Sequence, residues 1–170
     1  MFAIGEHVIH PGQGVCTVVG FEDEPTPMIV LEAKSGRTKT RMKYPVAQAD
    51  RLHSAVSREE AQALIEGYDQ LECDSFTERN SSLEESHFKQ QIKLGAPETV
   101  RVAKTMRQRI RDAEARNKKP SSYYARVLKE AHRRSVEELA VALDVTQDEM
   151  EERLAPYIAA SESLAKPSAN

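Results

Sequence analysis

Few residues in this 170-residue chain have types and spacing suited to catalysis. His7 and His10 stand three positions apart on an expected strand, so their side chains point to opposite faces, which is poor geometry for one metal ion. Cys16 is expected to pack in a core, Cys73 lies in a polar stretch, and two cysteines make neither a disulfide framework nor a four-ligand zinc site. The sequence contains no Walker-type phosphate loop, GxSxG elbow or HExxH motif. We therefore predict a protein that is not an enzyme, with no catalytic residue, metal or cofactor.

The charged residues are distributed unevenly along the chain. The net charge is only −3, but residues 96–134 hold 12 basic and 4 acidic side chains, whereas residues 135–170 hold 2 and 8. A basic segment in an acidic protein favours contact with phosphates, where Lys and Arg displace counterions without reading bases. The open alternative is a solvated helix face. No aromatic residues alternate with these cations, so base stacking is not indicated.

The first third of the chain has the pattern of short β-strands separated by turn residues. β-branched and apolar runs alternate with Pro-Gly and Ser-Gly clusters, which are typical of tight turns between strands. Strands are expected near residues 7–10, 15–21, 28–32 and 38–43, and Pro45 should end the last one. Four or five such strands within about 55 residues predict a small antiparallel barrel.

From Ser57 onward the pattern becomes helical. Three capping boxes, in which a Ser or Thr is followed three residues later by Glu, predict helix starts at Ser57, Ser82 and Thr146. Two further helices are expected, one across the basic segment and one from Ser121 or Ser122 to about Leu143. The predicted fold class is therefore α+β, with a β-barrel at 1–56, a helical domain at 57–163 and a frayed tail at 164–170.

The segment from residue 139 to residue 150 imitates a helix-turn-helix, which raises a second function, a sequence-specific DNA-binding repressor. Its second helix carries four carboxylates, Asp148, Glu149, Glu151 and Glu152, and phosphates would repel them. We favour a plain helix pair that closes a bundle. A third function, a pure protein-interaction adaptor, remains open.

The apolar runs, such as Met28–Leu31, are too short to cross a bilayer. The first residues lack the layout of a secretory signal. We therefore expect a cytoplasmic protein with reduced thiols, no membrane partner and no small-molecule substrate.

The run Met1–Val15, with the spacing Val-x-x-Pro-x-x-Gly from Val8 to Gly14, resembles the CarD/CdnL family of bacterial transcription regulators. The similarity continues through Met28–Leu31 into a basic strand ending at Pro45. The helix order and the phrase Val102-Ala103, followed by Arg107, extend it to about residue 145. The polymerase-recognition module of the transcription-repair coupling factor shares the barrel.

This resemblance implies a Tudor-like or SH3-like barrel that binds the β subunit of RNA polymerase. The helical domain would contact promoter DNA nonspecifically, through the backbone and minor groove, and modulate open-complex stability during transcription initiation. The implied polymerase-binding residues are Arg41, Lys43 and Pro45, with Lys43 at the position of a family Arg. That exchange keeps the charge but loses bidentate pairing.

The expected DNA-binding residues come from the resemblance and from the basic helix. The family commonly places a Trp at the start of the second helix, where it wedges against the minor groove, and this chain has Leu83 near that position and no Trp. Lys89, after Phe88, and Arg126 match basic family positions. The full DNA-binding set is Leu83, Lys89, Arg101, Lys104, Arg107 and Arg126.

Overall fold

A computed structural model describes residues 1–164 of the chain. It confirms the α+β class, with an antiparallel sheet at the N-terminus followed by helices. The strands are β1 (His7–His10), β2 (Gly14–Glu22), β3 (Met28–Ser35), β4 (Thr38–Pro45) and β5 (His53–Ser54). The helices are α1 (Arg58–Glu66), α2 (Ser81–Ile92), α3 (Glu98–Ala115), α4 (Ser122–Leu143) and α5 (Gln147–Leu164).

The five strands form one antiparallel sheet in the order β4-β3-β2-β1-β5. Buried and exposed side chains alternate along β2 and β3, as expected for a sheet with one covered face. The sheet core consists of Val8, Cys16, Val18, Ile29, Leu31, Tyr44 and Leu52. The four longer strands lie where the sequence predicted them.

The sheet is not closed into a barrel, which corrects the predicted architecture. Strands β4 and β5 are its two edges and do not pair with each other. A 3-10 helix, Val46–Arg51, lies between them, and β5 has only two residues, both used against β1. Val46 and Ala49 pack against the sheet core, so side-chain burial replaces strand pairing at the gap.

The helix starts confirm two predicted capping boxes and correct the third. The Ser57 and Thr146 hydroxyls accept from the amides of Glu60 and Glu149, whose carboxylates accept in return from the cap amides. Helix α2, however, begins at Ser81, one position before the predicted cap. Asn80 caps it because its side-chain oxygen accepts from the amides of Ser82 and Leu83.

Helix α4 is the central element of the helical part. Its C-terminal half packs with α1, α5 and the start of α3 around Leu139 and Leu143. Its N-terminal half packs with α2 and α3 around Phe88, Met106 and Val127. Helix α5 extends to Leu164, and the rest of the frayed tail predicted at 164–170 lies outside the described residues.

The sheet and the helices meet along α4. Arg134 donates from Nη1 to the Pro11 carbonyl and from Nη2 to the Gly12 carbonyl, both at 3.0 Å. One turn further, the buried Glu138 carboxylate accepts from the Val56 amide at 3.2 Å and the Ala96 amide at 2.8 Å. These four hydrogen bonds fix α4 against the β1–β2 turn and against the chain that leaves the sheet.

Candidate functional site

Strand β4 presents a row of cations on one edge of the sheet. Lys39, Arg41 and Lys43 alternate with inward residues such as Tyr44, and their side chains are 58–71% exposed. The register places Arg41 opposite Glu32, so Arg41 and Lys39 share that carboxylate at 3.3 and 3.5 Å. The hydrogen bond from Arg41, with Lys39 nearby, lowers the pKa of Glu32.

The predicted polymerase-binding residues lie together on this edge. Lys43 pairs with Glu22 of β2 at 2.6 Å, and Pro45 ends β4 opposite Met28. A proline lacks the amide that a further strand would need, which is why it is tolerated at the end of an edge strand. Arg41, Lys43 and Pro45 therefore form one accessible strip.

Two of the predicted DNA-binding residues also lie close together, Lys89 on α2 and Arg126 on α4, and a third, Leu83, lies on α2. Lys89 and Arg126 both pair with the Glu85 carboxylate, at 3.0 and 3.3 Å. The hydrogen bond from Lys89, with Arg126 nearby, lowers the pKa of Glu85. Leu83, in the first turn of α2, is 57% exposed. This α2–α4 face, defined by Leu83, Lys89 and Arg126, combines an exposed apolar side chain with two exposed cations.

The other three predicted DNA-binding residues lie on α3 and bond within the chain. The Lys104 ammonium donates to the carbonyls of Tyr68, Asp69 and Leu71 at 2.7–3.1 Å. These carbonyls belong to a 3-10 turn, Tyr68–Gln70, and its exit, so Lys104 caps that turn. Burial lowers the pKa of Lys104, against nearby Cys73 and Asp69, which raise it.

Arg101 and Arg107 bond in the same region. Arg101 donates to the Glu72 carbonyl and the Glu98 carboxylate, each at 3.2 Å. Arg107 donates to the Tyr68 hydroxyl and to His132 Nδ1. Because that nitrogen accepts, the ring's Nε2 is the one that donates to the Glu151 carboxylate. The two groups of predicted DNA-binding residues are thus in different chemical environments.

Arg109 is the residue of α3 whose role the sequence analysis missed. It donates to the carbonyls of Asp74 and Phe76 and to the Glu84 carboxylate. Tyr123 also donates to Glu84, which is 8% exposed, and burial with this bond raises the pKa of Tyr123. The stretch before α2 is therefore held in place without regular secondary structure. The sequence offered one signal of this role, namely that Glu84 is an acidic residue inside the apolar pattern of α2.

The segment from residue 139 to residue 150 contains the end of α4, a three-residue turn and the start of α5, and the two long helices pack on each other. Helix α4 has 22 residues and ends at Asp144, whose φ of 55° is in the left-handed region. The carboxylates of Asp148, Glu149, Glu151 and Glu152 are exposed on α5. A major-groove reader needs the opposite charge on its second helix.

The thiols and histidines lie in unreactive surroundings. Burial raises the pKa of Cys16 to about 11 and raises the pKa of Cys73 as well, so neither thiol is activated. His10 Nδ1 accepts from the amides of Gly12 and Gln13 at 3.0 Å. Residues 1–164 contain no group of three side chains suited to a metal ion and no helix long and apolar enough to cross a membrane.

Comparison with known proteins adds one family. Residues 2–56 match the family model described as the CarD-like/TRCF RID domain, which covers the sheet and its 3-10 helix. No curated protein matches the chain. The matched module is an RNA polymerase-interacting, non-catalytic domain associated with transcription. The sheet that carries the cationic β4 edge is therefore similar to a CarD-like/TRCF RID domain over residues 2–56.

Proposed function

We propose that this protein regulates transcription initiation by binding the RNA polymerase β subunit through β4 and promoter DNA through its helices. Binding both at once would modulate the stability of the open complex. The observation that carries the proposal is the cationic strip of Arg41, Lys43 and Pro45 on the exposed edge of a CarD-like/TRCF RID domain. The matched domain is an interaction module, and we keep the expectation that the protein has no catalysis of its own.

The β4 edge suits an acidic protein surface. Its three cations are more than half exposed and each is paired only with a carboxylate of the same sheet, Glu32 of β3 or Glu22 of β2. Exposed ion pairs contribute about 0–1 kcal/mol to folding, so a partner's carboxylates can replace these internal ones at little cost in stability. Charge complementarity then favours rapid and selective association.

The α2–α4 face suits the DNA backbone and minor groove. Lys89 and Arg126 present charge to phosphates. Leu83 is an exposed aliphatic side chain in the first turn of α2, the helix that carries Lys89, and apolar side chains of this kind insert between base steps in minor-groove binders. Because the contacts are to backbone and shape, we expect binding without sequence preference.

The test is a titration of the full chain against the isolated β-subunit lobe at physiological salt. Lys43→Glu should weaken binding at least tenfold, because it places a carboxylate in the strip and beside Glu22. Lys93→Glu is the matched control, since Lys93 is an exposed lysine at the end of α2, outside the sheet, and should change affinity less than twofold.

Circular dichroism should show the native fold in both variants. Unchanged affinity of a folded Lys43→Glu protein would overturn the assignment of the β4 edge. No binding by the folded wild-type chain would overturn the proposed polymerase contact as a whole.

A protein-interaction adaptor is a second candidate, favoured by the internal bonds of Lys104, Arg107 and Arg109. If the cations of the basic segment serve only to form such internal bonds, then the chain binds polymerase and not DNA. A duplex DNA affinity that falls steeply with salt would exclude this candidate.

A further inference from the structure

Most cations of the basic segment are already bonded within the protein. Among its twelve, only three have a side chain that forms no hydrogen bond or ion pair within the described part of the chain, and they are Lys118, Lys119 and Lys129. The first two are adjacent in the loop between α3 and α4 and are exposed. Two of the three cationic side chains without an internal partner therefore lie in this loop, and none of them lies on α3.

The loop borders a surface cavity of about 350 Å³. Four cations line the cavity, Arg109, Arg116, Lys118 and Lys119, against two carboxylates. One of these carboxylates, Glu84, is already bonded to Arg109 and Tyr123. The local charge is therefore positive, which attracts a polyanion.

We propose that the α3–α4 loop, through Lys118 and Lys119, is a phosphate-binding surface for duplex DNA. This inference rests on the proposed function and assigns its DNA contact to two residues of the basic segment that lie outside the predicted DNA-binding set. The cavity lies beside the α2–α4 face, because Glu84 in its wall is the neighbour of Leu83 in α2.

The surface has the groups that backbone recognition uses. Two flexible ammonium groups act as point charges for phosphates. The hydroxyls of Ser121 and Tyr124 line the same cavity as possible hydrogen-bond donors, and hydroxyl donors to phosphate oxygens are common in protein–DNA interfaces. None of these groups reads base edges, so the contact is independent of sequence.

The experiment measures binding of the full chain to a fluorescein-labelled 20-base-pair duplex by anisotropy, across a salt series and without polymerase. Each phosphate contact contributes about −0.9 to the slope of log affinity against log salt. The double variant Lys118→Gln/Lys119→Gln should therefore flatten the slope by about 2 and weaken binding at least tenfold at physiological salt.

The matched control is Lys34→Gln/Arg37→Gln, which removes two exposed cations from the β3–β4 hairpin. It should leave the slope unchanged. If the loop variant keeps the wild-type slope, the inference fails, and loss in Lys89→Gln/Arg126→Gln alone would assign the contact to the α2–α4 face. If the wild-type chain does not bind duplex DNA, the loop inference and the proposed DNA contact both fail, while the polymerase titration still tests the β4 edge.

Discussion

The cations of β4 and those of α3 are the same residue types in two opposite situations. On β4, three side chains lie on the surface and pair with carboxylates of β3 and β2. On α3, Lys104 and Arg109 reach across to the chain between α1 and α2 and donate to its backbone carbonyls. The first group is available to a partner, and the second holds the protein together.

The difference follows from what lies beside each element. A strand neighbour offers side chains at fixed register, so its carboxylates meet the β4 cations at the surface. Residues 71–80 form no helix or strand, and their carbonyls need donors. The cations of α3 supply those donors. A count of charges along the sequence therefore overestimates the binding surface of a helix packed beside an irregular segment.

The largest expected effect is a difference in unfolding free energy between two variants. Each replaces one arginine, from α3 or from β4, with a methionine. Arg109→Met leaves Glu84 buried beside two carbonyls that lose their donor, and it should lower the free energy of unfolding by about 3 kcal/mol. Arg41→Met should lower it by about 0–1 kcal/mol. Urea unfolding of both variants measures the contrast, and equal losses would refute the distinction between the two regions.

An effect of similar size is expected where the sheet meets the helices, at Gly95. Gly95 has a φ of +81°, and an added Cβ would lie 2.7 Å from Ile9 Cγ1 and 2.8 Å from Glu138 Oε1. Gly36, in the β3–β4 hairpin, has a φ of +60° and open space around it, so it controls for backbone strain alone. Gly36→Ala should lower the free energy of unfolding by about 1 kcal/mol, and Gly95→Ala should lower it by about 2 kcal/mol more.

Hydrogen exchange sharpens the same comparison. Because the clash joins β1 to α4, amides of both elements should lose protection together in Gly95→Ala. Loss confined to the helices would mean that the sheet is stable independently of α4.

The smallest effect is a pH dependence carried by Glu138. Burial, with the nearby carboxylates of Glu60 and Glu98, raises the pKa of Glu138 above its ordinary 4.5, against the amides of Ala96 and Val56, which lower it. The folded state thus holds this proton more tightly than the unfolded state. This tighter proton binding stabilises the folded state fully below about pH 4.5, and its contribution is lost as pH rises through the raised pKa of Glu138.

Glu138→Gln removes this titration. The unfolding free energy of the wild type relative to the variant should therefore fall as pH rises from about 4.5, by at most about 1.4 kcal/mol per pH unit. Urea unfolding at a series of pH values measures the difference. A difference that rises with pH over that range would contradict the assignment.

Much of the fold was predictable because it depends on local patterns. β-branched runs and turn glycines predicted four strands, and the boxes at Ser57 and Thr146 opened helices as expected. The Ser82 box was wrong because Asn80, two positions earlier, supplies a better-placed side-chain oxygen. The two-residue β5 was too short to leave a pattern, and the barrel prediction failed at that end of the sheet.

The internal roles of charged residues were not predictable, because their partners are distant in sequence. Glu138 bonds to amides 82 and 42 residues away, and Lys104 caps carbonyls more than 30 residues earlier. No periodicity encodes such pairs. The β4 strip was easier to identify, because alternation along one strand is enough to place its cations on a common face.

Because α4 is attached to the β1–β2 turn near its middle, a small tilt at that point displaces its N-terminal end. Ser122 lies about 18 Å along the helix axis from Arg134, at a rise of about 1.5 Å per residue. A tilt of a few degrees where Arg134 holds the turn would move the far end, beside α2 and the α3–α4 loop, by on the order of 1 Å at that helical rise. The length of α4 thus determines how far its N-terminal end moves when the helix tilts at the sheet.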